Sequence, residues 1–237
     1  MPRWRRTLVG ATMREVFKDR VDAGRRLAEA LMALDLSDPV VLALPRGGVP
    51  VAVEVARALK VPLDLLLVRK IGAPMQPELA VAAVADAPEL ILEVDAFTLA
   101  QCGASMAHVE NELPQQRQEI ERRRRVYLEG RQPVPVEGKT VVLVDDGMAT
   151  GTTVRAAIRA VLQRKPARLV LAVPVAPAGV AAQMRSMVND LVCLETPDYF
   201  GAVGAHYRDF DQVSDEEVVA LMNSHSGQRL SRVKRTE

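Results

Sequence analysis

Asp145 and Asp146 stand side by side at the end of an apolar run, TVVLV at 140–144, and are followed by Gly147, Met148, Ala149, Thr150, Gly151, Thr152 and Thr153. A buried strand that ends this way delivers both carboxylates to a sheet edge, where they can accept hydrogen bonds from two vicinal sugar hydroxyls. Gly147 and Gly151 permit close approach to the backbone, and the amides of residues 148–153, at the start of a helix, converge on a spot suited to phosphate. Thr150, Thr152 and Thr153 add hydroxyl donors without a fixed charge, which fits a phosphate monoester held by backbone and helix dipole. The stretch reads as a site for a ribose carrying a 5-phosphate.

Other uses of the stretch fail on spacing. A P-loop requires GxxxxGK[ST], whereas Gly147 and Gly151 are separated by three residues and no lysine follows the second. The dinucleotide fingerprint GxGxxG is likewise absent from it. A haloacid-dehalogenase-type phosphatase separates its two aspartates by one residue, and these are adjacent. A response-regulator receiver would seek its phosphoacceptor where this chain offers Glu195. A plain capped turn needs neither the second acid nor the second glycine.

The elements that must position these residues alternate along the chain. Val21, Leu27, Leu31 and Leu34 recur at helical spacing over 19–34, and DLSDP closes that element. VVLAL at 40–44 reads as a buried strand stopped by Pro45; the turn PRGGVP, a helix over 51–59 and a strand at 63–68 follow. RKIGAPMQPEL, 69–79, with two prolines and a glycine, reads as a loop. Residues 79–85 and 90–93 read as short strands around DAPE, and 104–127 as polar helical chain in which Pro114 marks a break or a start. From 139 onward strand 140–144, helix 153–164, strand 168–173, helix 180–187 and strand 190–194 predict a parallel sheet with right-handed crossovers. A last helix over 214–223 opens with Ser214 and Glu217 at capping-box spacing, and the basic tail 225–237 is expected to fray. No repeat or linker divides the chain, so one domain over 1–237 is expected, with its core at about 40–195.

The 237 residues carry 31 Lys and Arg against 30 Asp and Glu, a formal charge of +1, so any anion binding must be local. Hydrophobic residues, 49% of the chain, suffice for a core. No apolar run approaches the roughly 18 residues of a membrane span. The basic start MPRWRRTLVGATMREVF lacks the apolar segment of a secretory signal, so a cytoplasmic protein with no membrane partner is expected. Cys102 and Cys193 have neither metal nor disulfide spacing and read as reduced structural thiols; His108, His206 and His225 form no ligand pattern. Aromatics at 3% argue against a stacking surface for single-stranded nucleic acid. The run ERRRRVY at 121–127 reads as a solvated helix face offset by Glu119 and Glu121.

VVLVDDGMATGTT resembles the 5-phosphoribosyl-1-pyrophosphate (PRPP) motif of type I phosphoribosyltransferases. ALPRGGVPVA resembles that family's pyrophosphate loop, and LLLVRKIG resembles the Arg-Lys pair that opens its mobile catalytic loop. The three stretches fall in the family's order, and the resemblance spans about 40–194. The whole chain is similar to bacterial phosphoribosyltransferases that share PRGGVPVA, RKIGAP with a following PELA, and VDDGMATG.

The resemblance implies an α/β, type I phosphoribosyltransferase fold: a central, mostly parallel sheet flanked by helices, with a flexible loop and a small hood region. It places the ribose hydroxyls on Asp145 and Asp146, and the 5-phosphate on Gly147, Met148, Ala149, Thr150, Gly151, Thr152 and Thr153. Pyrophosphate falls to Arg46, Gly47, Gly48, Arg69 and Lys70, with a cis peptide at Arg46 or Gly47. Asp145, Asp146, Arg69 and Lys70 form the implied catalytic set, with either aspartate taking the acceptor's proton. Mg²⁺ is expected on the substrate's own oxygens and water rather than on direct protein ligands. The implied reaction carries the phosphoribosyl group from PRPP to a small nitrogen acceptor, a nucleobase for preference, and releases pyrophosphate. The alternative is a non-catalytic PRPP-binding regulator, associated with nucleic acid through ERRRRVY, PRWRR and the basic tail; retention of both PRGG and RK favours the enzyme, with no nucleic-acid partner. A homodimer is implied as well. DYFGAVGAHYRDF does not spell out a purine or pyrimidine pocket, which leaves the acceptor open.

Overall fold

The computed structural model describes the backbone of residues 16–233 and the side chains of residues 16–225. The basic stretch PRWRR and the end of the basic tail lie outside the described residues. The chain opens with α1 (Arg20–Met32), capped by Asp19, whose carboxylate accepts from the Asp22 amide at 2.8 Å. Then come β1 (Pro39–Ala43), α2 (Gly48–Leu59) and β2 (Leu63–Leu65). Three strands follow, β3 (Val68–Ala73), β4 (Gln76–Ala85) and β5 (Ile91–Val94), and after them α3 (Ala96–Gln101) and the long α4 (Met106–Leu128). The second half alternates β6 (Thr140–Val144), α5 (Thr152–Gln163), β7 (Arg168–Val175), α6 (Ala178–Arg185) and β8 (Asp190–Glu195). A 3₁₀ turn (Val203–His206) and α7 (Asp215–Val233) complete it.

Five parallel strands form the central sheet in the order β2-β1-β6-β7-β8. Apolar runs suit these strands because both faces are covered. Val41, Ala43, Val142 and Val144 pack in one apolar layer with α1, α2 and α7, while Val40, Leu42, Val141 and Leu143 pack in the other with α5 and α6. The chain leaves β1 toward β2 on one side and β6 toward β7 on the other, so the sheet's direction of winding reverses between β1 and β6. The carboxyl ends of those two strands therefore flank the crevice where open α/β sheets bind ligands. Among the described residues no helix is long and apolar enough to cross a membrane.

Four expectations need correction. Residues 69–79 are not a loop: β3 and β4 form an antiparallel hairpin, pairing Arg69 with Val84 and Ala73 with Gln76. Its glycine and prolines serve the hairpin's irregularities. The register shifts on both sides of Gly72, where an added Cβ would lie 2.2 Å from the Pro77 carbonyl oxygen, and Pro77 sits in the half of β4 that β5 does not cover. The apolar run at 63–68 is divided, its end passing to this second sheet. Pro114 neither breaks nor starts a helix but lies inside α4, whose buried Val109 and Ile120 anchor the helix on either side of it. The capping box holds, with Ser214 N donating to Glu217 Oε2 at 2.7 Å and Glu217 N to Ser214 Oγ at 3.2 Å, but α7 runs on past Asn223 to Val233.

Candidate active site

The loops after β1 and β6 meet at the crevice. Leu44 N donates to Val144 O at 2.9 Å, extending the parallel ladder past the end of β1, and the chain then turns through a cis Pro45–Arg46 peptide. Gly47 and Gly48 lie directly on the β6 loop. A Cβ on Gly47 would stand 2.0 Å from Asp146 Oδ2, and one on Gly48 would stand 2.9 Å from Val144 O and 3.0 Å from Asp145 Cα. The two glycines are what let the loops touch.

The acid pair is largely enclosed. Asp146 N donates to Asp145 Oδ1 at 2.9 Å, and Arg20 Nε donates to Asp146 Oδ2 at 2.8 Å. Arg20, the first residue of α1, also donates through Nη1 to Asp211 O at 2.7 Å, with its guanidinium 3.7 Å above the Phe210 ring. Tyr207 donates its hydroxyl to Asp146 O at 2.6 Å, and burial together with the Asp146 charge holds its pKa well above the usual phenol range. Burial, reinforced by the neighbouring Asp146 charge, pushes the Asp145 carboxyl well up. Burial also raises Asp146, against the opposing pull of Arg20. The adjacent carboxylates thus differ in environment, since Arg20 bonds only Asp146.

In the following loop Gly147 takes φ +154 and Gly151 φ +77, and Gly151 caps α5. Two of the expected phosphate contacts are engaged elsewhere. Met148 is buried and its amide donates to Val175 O at 3.0 Å. Thr152 is fully buried, with its hydroxyl 3.1 Å from Thr150 Oγ1 and 3.4 Å from Asp95 Oδ2. Arg155 braces the loop from behind, donating to Thr150 O, Thr152 Oγ1 and Asp95 Oδ2, each at 3.1 Å, and to Glu93 Oε1 at 3.3 Å.

Two cavities open here. The larger, 760 Å³, is lined by Asp145, the loop from Gly147 to Thr153, and an apolar wall that includes Leu79, Ala80 and Val203. The smaller, 450 Å³, holds Asp146 and Gly47 among five cations: Arg20, Arg46, Arg69, Lys70 and Arg123. Lys70, Glu78 and Thr153 border both. The structure therefore brings together the expected Arg46, Gly47, Arg69 and Lys70. Arg69 Nε donates to Gln116 Oε1 at 3.1 Å, Lys70 Nζ to Glu78 Oε2 at 2.6 Å, and Arg46 Nη1 lies 3.5 Å from Asp215 Oδ1. Burial lowers the pKa of Arg69, and the charge of Arg123 lowers it further. Among the described residues no three His, Cys, Asp or Glu side chains group as a metal cage.

Sequence reasoning missed Arg20, Arg123, Arg155 and Tyr207. Arg123 was in plain view inside ERRRRVY, but that run disperses around α4. Arg122 pairs with Glu119 and Asp215, Arg123 points inward to Glu119, Arg124 pairs with Asp86, and Arg125 is exposed. The scarce aromatics gather behind Arg20, where Phe17, Phe200, Tyr207 and Phe210 pack together. Both cysteines are free thiols, and burial pushes Cys193 up to about 11, an unreactive setting. His108 Nε2 lies 2.8 Å from Gly72 O and His225 Nε2 lies 3.1 Å from Val61 O, which makes both packing residues.

With this geometry in place, the family model described as the phosphoribosyl transferase domain matches residues 15–209. Two Mycobacterium tuberculosis proteins provisionally named phosphoribosyl transferases, from strains CDC 1551 / Oshkosh and H37Rv, are each 44% identical to this chain over 210 residues. The match covers 88% of this chain and 47% of theirs, so the chain spans about half the length of these curated relatives. The crystal structure of TT1426 from Thermus thermophilus is similar with 45% identity and a TM-score of 0.69, covering 88% of this chain and 98% of that one. The chain belongs to the phosphoribosyl transferase domain family.

Proposed function

We propose that this chain binds PRPP across the two cavities and transfers its phosphoribosyl group to a nitrogen heterocycle of nucleobase size, releasing pyrophosphate. The observation that carries the reading is the meeting of the acid pair, a glycine-flanked helix start and a cation-lined cavity at the β1/β6 reversal. The 5-phosphate belongs at the start of α5, with Ala149, Thr150, Gly151 and Thr153 facing the larger cavity. Asp145 and Asp146 receive the ribose hydroxyls. The diphosphate belongs in the smaller cavity, near Arg46, Gly47, Arg69 and Lys70.

In the transfer, the bond from C1 of the ribose to the diphosphate oxygen breaks with its electron pair passing to the diphosphate. The acceptor's nitrogen lone pair forms the new bond to C1, and the nitrogen gives up its proton. Guanidinium and ammonium groups in the smaller cavity stabilise the growing negative charge. Asp145, whose surroundings raise its proton affinity, is the acid of the pair suited to take that proton. Mg²⁺ bound with the diphosphate would be held mainly by the substrate's own oxygens and water and would neutralise the growing charge; the carboxylates lining the two cavities, Asp145, Asp146, Glu78 and Asp211, form no cage for it among the described residues. Leu79, Ala80 and Val203 give the acceptor an apolar wall.

The test is calorimetric titration with PRPP and Mg²⁺, alongside an Asp145→Asn/Asp146→Asn double variant, followed by pyrophosphate release across a panel of nucleobases. Binding lost in the variant, with release triggered by one base, supports the reading and names the acceptor. Absence of PRPP binding by the unmodified chain overturns it.

A further inference from the structure

One polar stripe of the long helix α4 engages guanidiniums that line the smaller cavity. Gln116 holds Arg69 at 3.1 Å, and Glu119 Oε1 holds Arg123 Nε at 2.7 Å. Two turns on from Glu119, Tyr127 donates to Asp215, the residue paired with Arg46. Each of the guanidiniums of Arg46, Arg69 and Arg123 is thus fastened, directly or through Asp215, to α4.

Arg123 is the most enclosed of the three, 7% exposed, and its residue lines the cavity. Among the described residues it is engaged only through Nε, which leaves both terminal nitrogens as donors. The carboxylate that holds it is shared: Glu119 also accepts from Arg122 at 2.7 and 2.9 Å. These contacts, led by Arg122, hold Glu119 down at about 2, so it stays charged. Asp215 is shared in the same way between Arg46, Arg122 and Tyr127. Asp215 and Glu119, the carboxylates of Arg46 and Arg123, are thus shared with Arg122 outside the cavity, while Arg69 is held by a neutral amide; burial lowers the pKa of Arg69, and the neighbouring charge of Arg123 lowers it further. Burying like charges together is unfavourable unless an anion completes the arrangement. A diphosphate, with several negative oxygens and a fit to guanidinium forks, has the chemistry to do so.

We infer that Arg123 is a leaving-group residue, fixed in the diphosphate cavity by Glu119 and supplied by α4 rather than by the β3–β4 segment that carries Arg69 and Lys70. This inference rests on the diphosphate placement proposed above. It adds a cation that no loop closure is needed to deliver.

The experiment titrates the full chain and its Arg123→Gln and Arg123→Lys variants separately with two probes, inorganic pyrophosphate plus Mg²⁺ and ribose 5-phosphate. Arg123→Gln should weaken pyrophosphate by about 10- to 100-fold, the range of a lost charge-assisted hydrogen bond, and leave ribose 5-phosphate within about threefold. Arg123→Lys should lose about tenfold on pyrophosphate, because an ammonium keeps the charge but not the fork. That variant carries the test alone should Arg123→Gln not fold. Unchanged pyrophosphate affinity in both variants overturns the role of Arg123, as does equal loss of both probes, which marks a purely structural residue. Failure of the unmodified chain to bind PRPP or ribose 5-phosphate overturns instead the functional reading beneath it.

Discussion

Arg20 Nε donates to Asp146 Oδ2 at 2.8 Å, tying the first residue of α1 to an acid at the end of β6. The pair has side chains only 12% and 15% exposed, so the bond sets the charge state of Asp146 as well as its orientation. Arg20 opposes the burial that raises Asp146. Arg20→Gln should therefore raise the Asp146 pKa, so that the carboxylate protonates sooner as pH falls and PRPP binding is lost at a higher pH than in the unmodified chain. Calorimetry across a pH series checks this. Coincident profiles would leave Arg20 with a packing role alone.

Asp145 should cost stability. Its folded-state pKa lies above the unfolded value, so its favourable contribution is complete below the unfolded pKa and is lost as pH rises toward the folded one. At neutral pH Asp145→Asn should melt higher than the unmodified chain, and the difference should shrink in acid. For a chain of this size each kcal/mol appears as about 2–4 °C. The same variant should lose PRPP. A lower melting temperature at neutral pH would contradict the account of this carboxyl.

Gly47→Ala and Gly48→Ala should fail differently. Gly47 has φ −58, open to any residue, so the obstacle is only the Asp146 carboxylate 2.0 Å from the new methyl. Asp146 is the side chain Arg20 holds, and displacing it should weaken PRPP by at least about tenfold with the fold retained. Gly48 faces main chain at 2.9–3.0 Å, which has nowhere to move, and its alanine variant should lose thermal stability first. Melting curves beside titrations separate the two.

Arg155→Met should strip the brace from the phosphate loop and leave Asp95 without its guanidinium partner, while Glu93 keeps Arg159 at 3.0 Å. The pair is part-buried, with side chains 16% and 15% exposed, so its loss should cost less than the about 3–5 kcal/mol of a fully buried pair and lower the melting temperature by a few degrees. Ribose 5-phosphate should weaken together with stability. Intact affinity in a destabilised variant would show that the loop keeps its shape unaided.

Glu78→Gln should release Lys70 and tighten pyrophosphate. Lys70 holds Glu78 below the usual carboxylate range, yet the Glu78 side chain is 94% exposed, so water screens the pair and the gain should not exceed about fivefold. A loss of affinity would mean that Glu78 positions Lys70 instead of restraining it.

What could be read before folding was whatever is local. The junction from Val144 to Thr152 announces its strand, acids, glycines and helix start within a few consecutive residues, and the structure builds it so. The β3–β4 hairpin could not be read, because a bulge at Gly72 and a turn at Pro74–Met75 have the composition of a loop and differ only in what pairs across them. The supporting arginines were hidden for a similar reason. Arg20 finds Asp146 at a separation of 126 residues and Arg155 finds Asp95 at 60, and no spacing along the chain marks a lone arginine for such a partner. Met148 shows the converse, a residue in the right stretch whose amide the fold assigns to Val175.

Arg20 also reaches Asp211 O, across 191 residues. During synthesis at about 5–20 residues per second, Asp145 and Asp146 leave the ribosome well before Tyr207, Phe210 and Asp211, the groups that complete their surroundings. A nascent chain can assemble the central strands and still lack this enclosure. PRPP, in this reading, is therefore a ligand of finished chains, and by binding only them it draws the folding equilibrium toward completed molecules in proportion to its own concentration in the cell.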